Sequence, residues 1–226
     1  MTLSVIIPVL HEEALINDAI GRLKGMAPDD AVEIIVVDGS AERETLRAIS
    51  DSNVKGITSK KGRACQMNAG AEAALGNVLL FLHADTELPS DGLQRISRTM
   101  HDDRFVGGAF DLAIDEQGPL FRIIERTASL RSRLTRVPYG DQAIFVKKDY
   151  FTAMEGYKEL PLMEDVDLMR RIRARGDRIF IIPEKVKTSG RRWKKEGTVR
   201  CTLRNRAIML LYMLGTSPEK LAKWYP

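Results

Sequence analysis

Acidic side chains at the ends of apolar runs are the residues of this chain best placed to do chemistry. Val78-Leu79-Leu80-Phe81-Leu82 runs directly into His83-Ala84-Asp85-Thr86. A continuous apolar run bounded by turn formers reads as a strand buried on both faces, and open α/β sheets bind ligands beyond the carboxyl ends of their strands. Asp85, a carboxylate able to hold a metal, therefore falls where a ligand would lie. The pattern repeats where Ile34-Ile35-Val36-Val37 meets Asp38-Gly39-Ser40, and where Val5-Ile6-Ile7 meets Pro8-Val9-Leu10-His11-Glu12-Glu13. A single aspartate after a strand is more often a cap or turn residue. Three acids delivered to one rim weigh against that reading, and the helix after Asp85 begins near Ser90-Asp91, where Ser90 is the better cap.

A fourth acid stands out in Leu162-Met163-Glu164-Asp165-Val166-Asp167-Leu168-Met169-Arg170-Arg171-Ile172, with Gly176 beyond. Acids first, arginines last and glycine after mark a helix whose charges complement its dipole. Asp165, Leu168, Met169 and Ile172 follow the i, i+3, i+4, i+7 spacing, so Asp165 shares the apolar, inward face. Glu164 and Asp167 suffice to stabilise the helix end. An inward carboxylate near a cleft is then a candidate general base.

The elements that must position these acids alternate. Strands are expected over 4–7, 33–37, 54–58 and 78–82, and helices over 13–24, 42–49, 62–75 and 92–100. Such alternation means βαβ units and a largely parallel sheet, an α/β fold. In the third helix Ala64, Met67, Asn68, Ala71 and Leu75 share a face, whose small residues let it lie close to the sheet. Residues 106–112 read as a strand whose glycine pair permits close approach of backbone or ligand. Residues 120–136 read as a strongly basic amphipathic helix, 140–146 as a strand and 148–154 as a short helix. With no repeat, linker or low-complexity segment, residues 1–226 read as one domain, with a basic and apolar helical segment over 197–226.

Composition narrows the function. The chain has 226 residues and a net charge of +4. Residues 1–118 hold 11 Lys+Arg against 19 Asp+Glu, whereas residues 119–226 hold 24 against 12. A basic half beside an acidic rim suits an anionic partner such as nucleotide phosphates or lipid head groups. Nucleic acid is disfavoured, because aromatics are few and not interleaved with the basic runs. Cys65 and Cys201 lie far apart in no CxxC or Cys/His spacing, which suggests neither a disulfide framework nor a zinc site and fits a reducing cytoplasm. No leader precedes the first strand, and no apolar stretch is long enough to span a bilayer. The first strand is followed by neither a GxGxxG motif nor a glycine-rich, arginine-containing loop, against a dinucleotide oxidoreductase and a nucleotidyltransferase. A non-catalytic nucleotide-binding or membrane scaffold would not need Asp85 and Asp165 together.

The whole chain, taken in order, resembles the family 2 glycosyltransferases, which share the nucleotide-sugar-binding GT-A fold. The segments that carry the resemblance are Ser4 to Glu13, Ile35-Val36-Val37-Asp38-Gly39-Ser40, Gly62-Arg63-Ala64-Cys65-Gln66-Met67-Asn68-Ala69-Gly70, Leu82-His83-Ala84-Asp85 at the family's DxD motif, and Glu164-Asp165 at its catalytic base. His83-Ala84-Asp85-Thr86, Tyr139-Gly140-Asp141-Gln142 and Arg191-Arg192-Trp193 further resemble a subgroup of small, stand-alone bacterial members named for association with radical-SAM and selenium-related genes.

The resemblance implies a metal-assisted, inverting transfer of a sugar from a nucleotide-diphosphate sugar, a UDP-sugar first, to an acceptor hydroxyl. It implies that Asp85 holds Mn²⁺ or Mg²⁺, that Pro8, Glu12 and Asp38 bind the nucleoside, that Arg63 faces the phosphates, and that Asp165 is the base. His83 stands where the family has its first DxD acid and would ligate metal, phosphate or ribose. No histidine follows the base to complete a metal site, so Arg191 or Arg192 would meet the diphosphate. The apolar run 207–214, preceded by seven basic residues, has two readings. It is an interfacial helix at the inner face of the membrane that meets a lipid-linked acceptor, or a helix packed on the domain or on a second subunit. The second is preferred, because short apolar runs are more often core.

Overall fold

A computed structural model describes residues 2–26 and 32–225. The strands are β1 (Leu3–Val9), β2 (Val32–Asp38), β3 (Lys55–Thr58), β4 (Val78–Phe81), β5 (Thr86–Glu87), β6 (Gly107–Ile114), β7 (Phe145–Lys147) and β8 (Ile179–Thr188). The helices are α1 (Ile16–Met26), α2 (Glu44–Ala48), α3 (Arg63–Ala73), α4 (Gly92–Met100), α5 (Pro119–Thr135), α6 (Lys148–Ala153), α7 (Glu164–Ala174), α8 (Arg191–Glu196), α9 (Thr198–Met213) and α10 (Pro218–Ala222).

The strands form one sheet in the order β3-β2-β1-β4-β7-β6-β8-β5. β3, β2, β1 and β4 are mutually parallel, with Val9 opposite Asp38 and Ile6 opposite Phe81. Their carboxyl ends therefore open on one rim, as the sequence implies. Successive residues of these strands feed two cores: Val5, Ile7, Val36 and Leu80 pack on one face with α1 and α4. Ile6, Val37, Leu79 and Phe81 pack on the other with α3 and α7. Burial on both faces is why the strands read as unbroken apolar runs rather than alternating ones.

Three expectations are corrected. Residues 140–146 do not form a strand: Gly140–Gln142 is a turn of 3₁₀ helix, and pairing starts only at Phe145. Leu75, expected on the inward face of α3, lies beyond its end and is 84% exposed. The N-cap position of helix α4 is Asp91 rather than Ser90, and the Asp91 side chain makes no capping hydrogen bond. The glycine pair serves backbone approach, since a Cβ on Gly107 would lie 2.4 Å from the Phe145 carbonyl oxygen and one on Gly108 2.3 Å from that of Phe180.

The longest strand, β8, is absent from the sequence reading. Pro183 interrupts its apolar run, and proline within a run argues against a strand. The sheet absorbs it in a bulge, where the register of β6 against β8 steps from Phe110 opposite Ile182 to Asp111 opposite Lys185. β8 then delivers Thr188, Ser189 and the start of α8 beside the end of β4.

Candidate active site

The turn after β4 is held at both ends. The Thr86 amide donates to the His83 carbonyl at 3.0 Å, and the Ser189 amide to the Asp85 carbonyl at 3.1 Å. Thr86 also pairs with Thr188 across β5 and β8. This seam sets Asp85 against the first residue pair of α8. Arg191 Nε lies 3.2 Å from Asp85 Oδ2, while its Nη1 and Nη2 donate to the Glu12 carboxylate at 3.1 and 2.5 Å. One guanidinium thus joins the acids at the ends of β1 and β4.

The third rim acid behaves differently. Asp38 is fully buried, and its carboxylate accepts from the Ser40 amide at 2.8 Å and the Leu46 amide at 3.4 Å. Each oxygen thus takes one amide, Oδ1 from the loop after β2 and Oδ2 from α2. A cavity of about 230 Å³ at the rim is lined by Arg63, His83, Asp85, Asp141, Asp165, Arg191 and Arg192. Pro8, Glu12 and Asp38 are not among its lining residues.

Helix α7 brings Asp165 to this cavity as its apolar periodicity requires, with Leu168, Met169 and Ile172 buried behind it. Asp165 Oδ2 accepts from the Gly140 amide at 2.5 Å, and Oδ1 from the Val166 amide at 2.7 Å. The carboxylate is aimed by backbone groups. Its neighbour Glu164 is buried, with Oε1 3.0 Å from Arg63 Nε at the start of α3. Burial raises the Glu164 pKa, Arg63 opposes that shift and Asp165 adds to it. For Arg63, burial acts to lower the pKa, but Glu164, Asp165 and Asp141 more than reverse it and the guanidinium stays charged.

His83 faces the opposite electrostatics. Burial, then Arg63, Arg192 and Arg191 in turn, push its pKa down to about 3. It is a neutral imidazole surrounded by cations. Burial, opposed by Arg191 and reinforced by Glu12, raises Asp85.

The 3₁₀ turn contributes a residue to which the sequence reading gave no role. The Gln142 amide donates to the Phe110 carbonyl at 2.8 Å and to Ser132 Oγ at 2.9 Å, while its oxygen accepts from the Tyr139 amide at 3.2 Å. Arg131 stacks on Tyr139 with 3.3 Å to the ring centroid. This framework holds Asp141 in the cavity, where Oδ1 is buried with no hydrogen-bond partner. Burial and then Asp165 raise its pKa to about 6. A buried carboxylate oxygen without a partner costs about 1–3 kcal/mol, so it marks a place for a ligand donor. The Tyr139-Gly140-Asp141-Gln142 motif was the available signal.

A divalent cation expected at Asp85 meets a poor donor set. Among the described residues no three His, Cys, Asp or Glu groups converge as a metal cage. Asp85 and Glu12 already share Arg191 as their cation, and no third donor joins them, so the residues present do not fit a protein-held ion. The positive charge facing the cavity comes from Arg63, Arg191 and Arg192.

The sequence and the fold both have counterparts among known proteins. Residues 4–157 match the sequence model of Glycosyl transferase family 2. The chain is 32% identical over 144 residues to dolichol-phosphate mannosyltransferase of Saccharomyces cerevisiae, a match covering 58% of this chain and 54% of that protein. It thus spans about half the length of that relative. Among solved structures it is similar to the mannosyltransferase PcManGT from Pyrobaculum calidifontis in complex with GDP-Man and Mn²⁺, with a TM-score of 0.66, 18% identity, and coverage of 82% of this chain and 56% of that one. It is also similar to S. aureus TarS 1–349 in complex with UDP, with a TM-score of 0.64, 17% identity, and coverage of 84% and 60%.

Proposed function

Since this chain belongs to glycosyl transferase family 2 and has the GT-A fold, we propose that it transfers a sugar from a nucleotide-diphosphate sugar to an acceptor hydroxyl with inversion, Asp165 acting as base. The observation that carries this reading is one cavity in which a carboxylate aimed by two amides faces the guanidinium groups of Arg63, Arg191 and Arg192. In the proposed step the acceptor oxygen bonds to the anomeric carbon while its proton passes to Asp165. The bond from that carbon to the diphosphate oxygen breaks, and the negative charge gathering there is met by the arginines. His83, neutral at any physiological pH, contributes a hydrogen bond rather than charge.

The donor follows the ligands of the fold relatives, of which one is in complex with GDP-Man and another with UDP; a UDP-sugar is the first expectation and a GDP-sugar the second. A lipid-linked acceptor is proposed from the likeness to dolichol-phosphate mannosyltransferase. Residues 1–226 are read as one transferase domain. The kinship with the subgroup named for radical-SAM and selenium-related genes is proposed on the His83, Tyr139 and Arg191 motifs alone. The Asp85 donor set does not form a cage, so Arg63, Arg191 and Arg192 are the groups that meet the diphosphate.

A thermal-shift panel of UDP, GDP, CDP and dTDP, with Mn²⁺, with Mg²⁺ and in EDTA, tests the reading. At least one diphosphate should stabilise the protein, and stabilisation by none of them would remove its foundation. A gain confined to Mn²⁺ or Mg²⁺ would return a cation to Asp85.

A further inference from the structure

Helices α5 and α9 each turn an apolar stripe outward. On α5, Leu120, Ile123, Leu130 and Leu134 are 39–73% exposed and recur at three- and four-residue intervals completed by Thr127. On α9, Val199, Leu203, Leu210, Met213 and Leu214, the last at its C-terminal cap, are 56–74% exposed, on the side opposite buried Cys201 and Ile208. Arg206 Nη2 donates to Thr127 Oγ1 at 3.3 Å, so the two stripes adjoin. The run 207–214 is therefore neither wholly packed nor wholly free: Ile208 packs with Leu162 and Leu221, and Leu210 faces out. Two exposed apolar stripes on helices that touch in this way make a contact surface.

Charge identifies what it contacts. Helix α9 contains no Asp or Glu, and the one acid of α5, Glu125, is fully buried against Arg122 and Lys185. Arg126, Arg200 and Arg206 are exposed and make no ion pair among the described residues. A second copy seated here would set arginine against arginine with no carboxylate between them. An anionic lipid surface supplies the missing counter-charge, at about 1 kcal/mol per basic residue, and accepts the leucines at its acyl boundary.

We propose that the outer faces of α5 and α9 together dock this protein on an anionic membrane surface. No helix among the described residues is long and apolar enough to cross a membrane, so the contact is peripheral. Docking stands independently of the transferase reading, but it gives that reading a route. Met213, on the docking face, also lines a groove of about 730 Å³ with Arg131 and Arg170. Tyr139, Val166 and Met209 line both this groove and the active-site cavity.

Flotation of the full chain with vesicles of phosphatidylcholine, alone or mixed with phosphatidylglycerol, decides the matter. Binding to the mixed vesicles at low salt should exceed binding to phosphatidylcholine by about tenfold or more and fall as salt is added. Leu130→Glu with Leu210→Glu, and separately Arg126→Ala with Arg200→Ala, should each weaken it by about tenfold, while the nucleotide-induced thermal shift stays unchanged. Failure to bind mixed vesicles at low salt, or binding indifferent to both variants, overturns the proposal. So does light scattering that shows a dimer which the leucine variant splits, without vesicle affinity.

Discussion

At the scale of single residues the cavity sorts its ionisable groups by environment. Asp165 is aimed by the Gly140 and Val166 amides, so Asp165→Asn keeps the shape of the site while removing the proton acceptor. Turnover should fall by about 10²- to 10⁴-fold, with the thermal shift produced by UDP or GDP retained; loss of the nucleotide shift instead would move Asp165 into donor binding. Asp141 makes a prediction about stability. Its pKa is raised to about 6 in the folded protein from 3.8, so between those values the folded state binds more protons than the unfolded one. Stability from this group is intact below pH ~4 and is lost as pH rises through ~6. Asp141→Asn should therefore raise stability at pH 7 by about 1–3 kcal/mol and flatten the melting temperature between pH 4 and 7, at the expense of whatever ligand donor that oxygen receives. Thermal melts across that range read both effects. His83 has the opposite sign: with its pKa pushed down to about 3, it costs stability only as pH falls below the unfolded value. A rate profile with a limb near pH 6.5 that disappears in His83→Asn would contradict the neutral imidazole.

At the scale of elements, α3 and α8 carry the cations, and each is held by a contact that leaves no slack. Helix α3 lies so close to β1 that a Cβ on Gly70 would stand 2.4 Å from Ile6 Cγ2 and 3.1 Å from Val37 Cγ2. Gly70→Ala should cost about 1–3 kcal/mol by overpacking. Because the helix must move off the sheet and Arg63 forms its first turn, the nucleotide-induced thermal shift should shrink as well; a stability loss with undiminished nucleotide binding would detach Arg63 from the donor. Helix α8 depends on β8, which ends against the Asp85 turn through the Ser189 amide. Arg191 spans Glu12 and Asp85 from there, where a charge-assisted pair contributes more than a neutral hydrogen bond. Arg191→Ala should weaken diphosphate binding in EDTA by about tenfold or more. It also frees two carboxylates, so binding by the variant should respond to Mn²⁺ more strongly than binding by the wild type. Equal Mn²⁺ responses would mean that Arg191 does not stand in for a cation. Thermal melts with and without UDP or GDP read the first variant, and isothermal calorimetry with the same nucleotides reads the second.

At the scale of the whole molecule, the charge asymmetry visible in the composition acquires a geometry. The basic second half supplies Arg191 and Arg192 to the cavity and, through α5 and α9, the outward basic and apolar face; the acidic first half supplies Arg63 and the rim acids Glu12, Asp38 and Asp85. The sequence alone determined the parallel βαβ half, because strands buried on both faces must be continuously apolar and their connecting helices must show a 3.6-residue period. It determined the inward placement of Asp165 for the same reason, and the resemblance to family 2 follows from the order of those motifs. Tertiary structure decided what periodicity does not encode. Asp38 accepts the amides of Ser40 and of Leu46 in α2, partners that no strand-end motif encodes. β8 pairs through a bulge around Pro183, which local propensity argues against and only the neighbouring strands can compensate. The pairing of Arg191 with Glu12 and Asp85 joins residues 179 and 106 positions apart in the chain. Such contacts depend on register and side-chain reach across the sheet, so the identity of the charges at the site was legible and their partners were not.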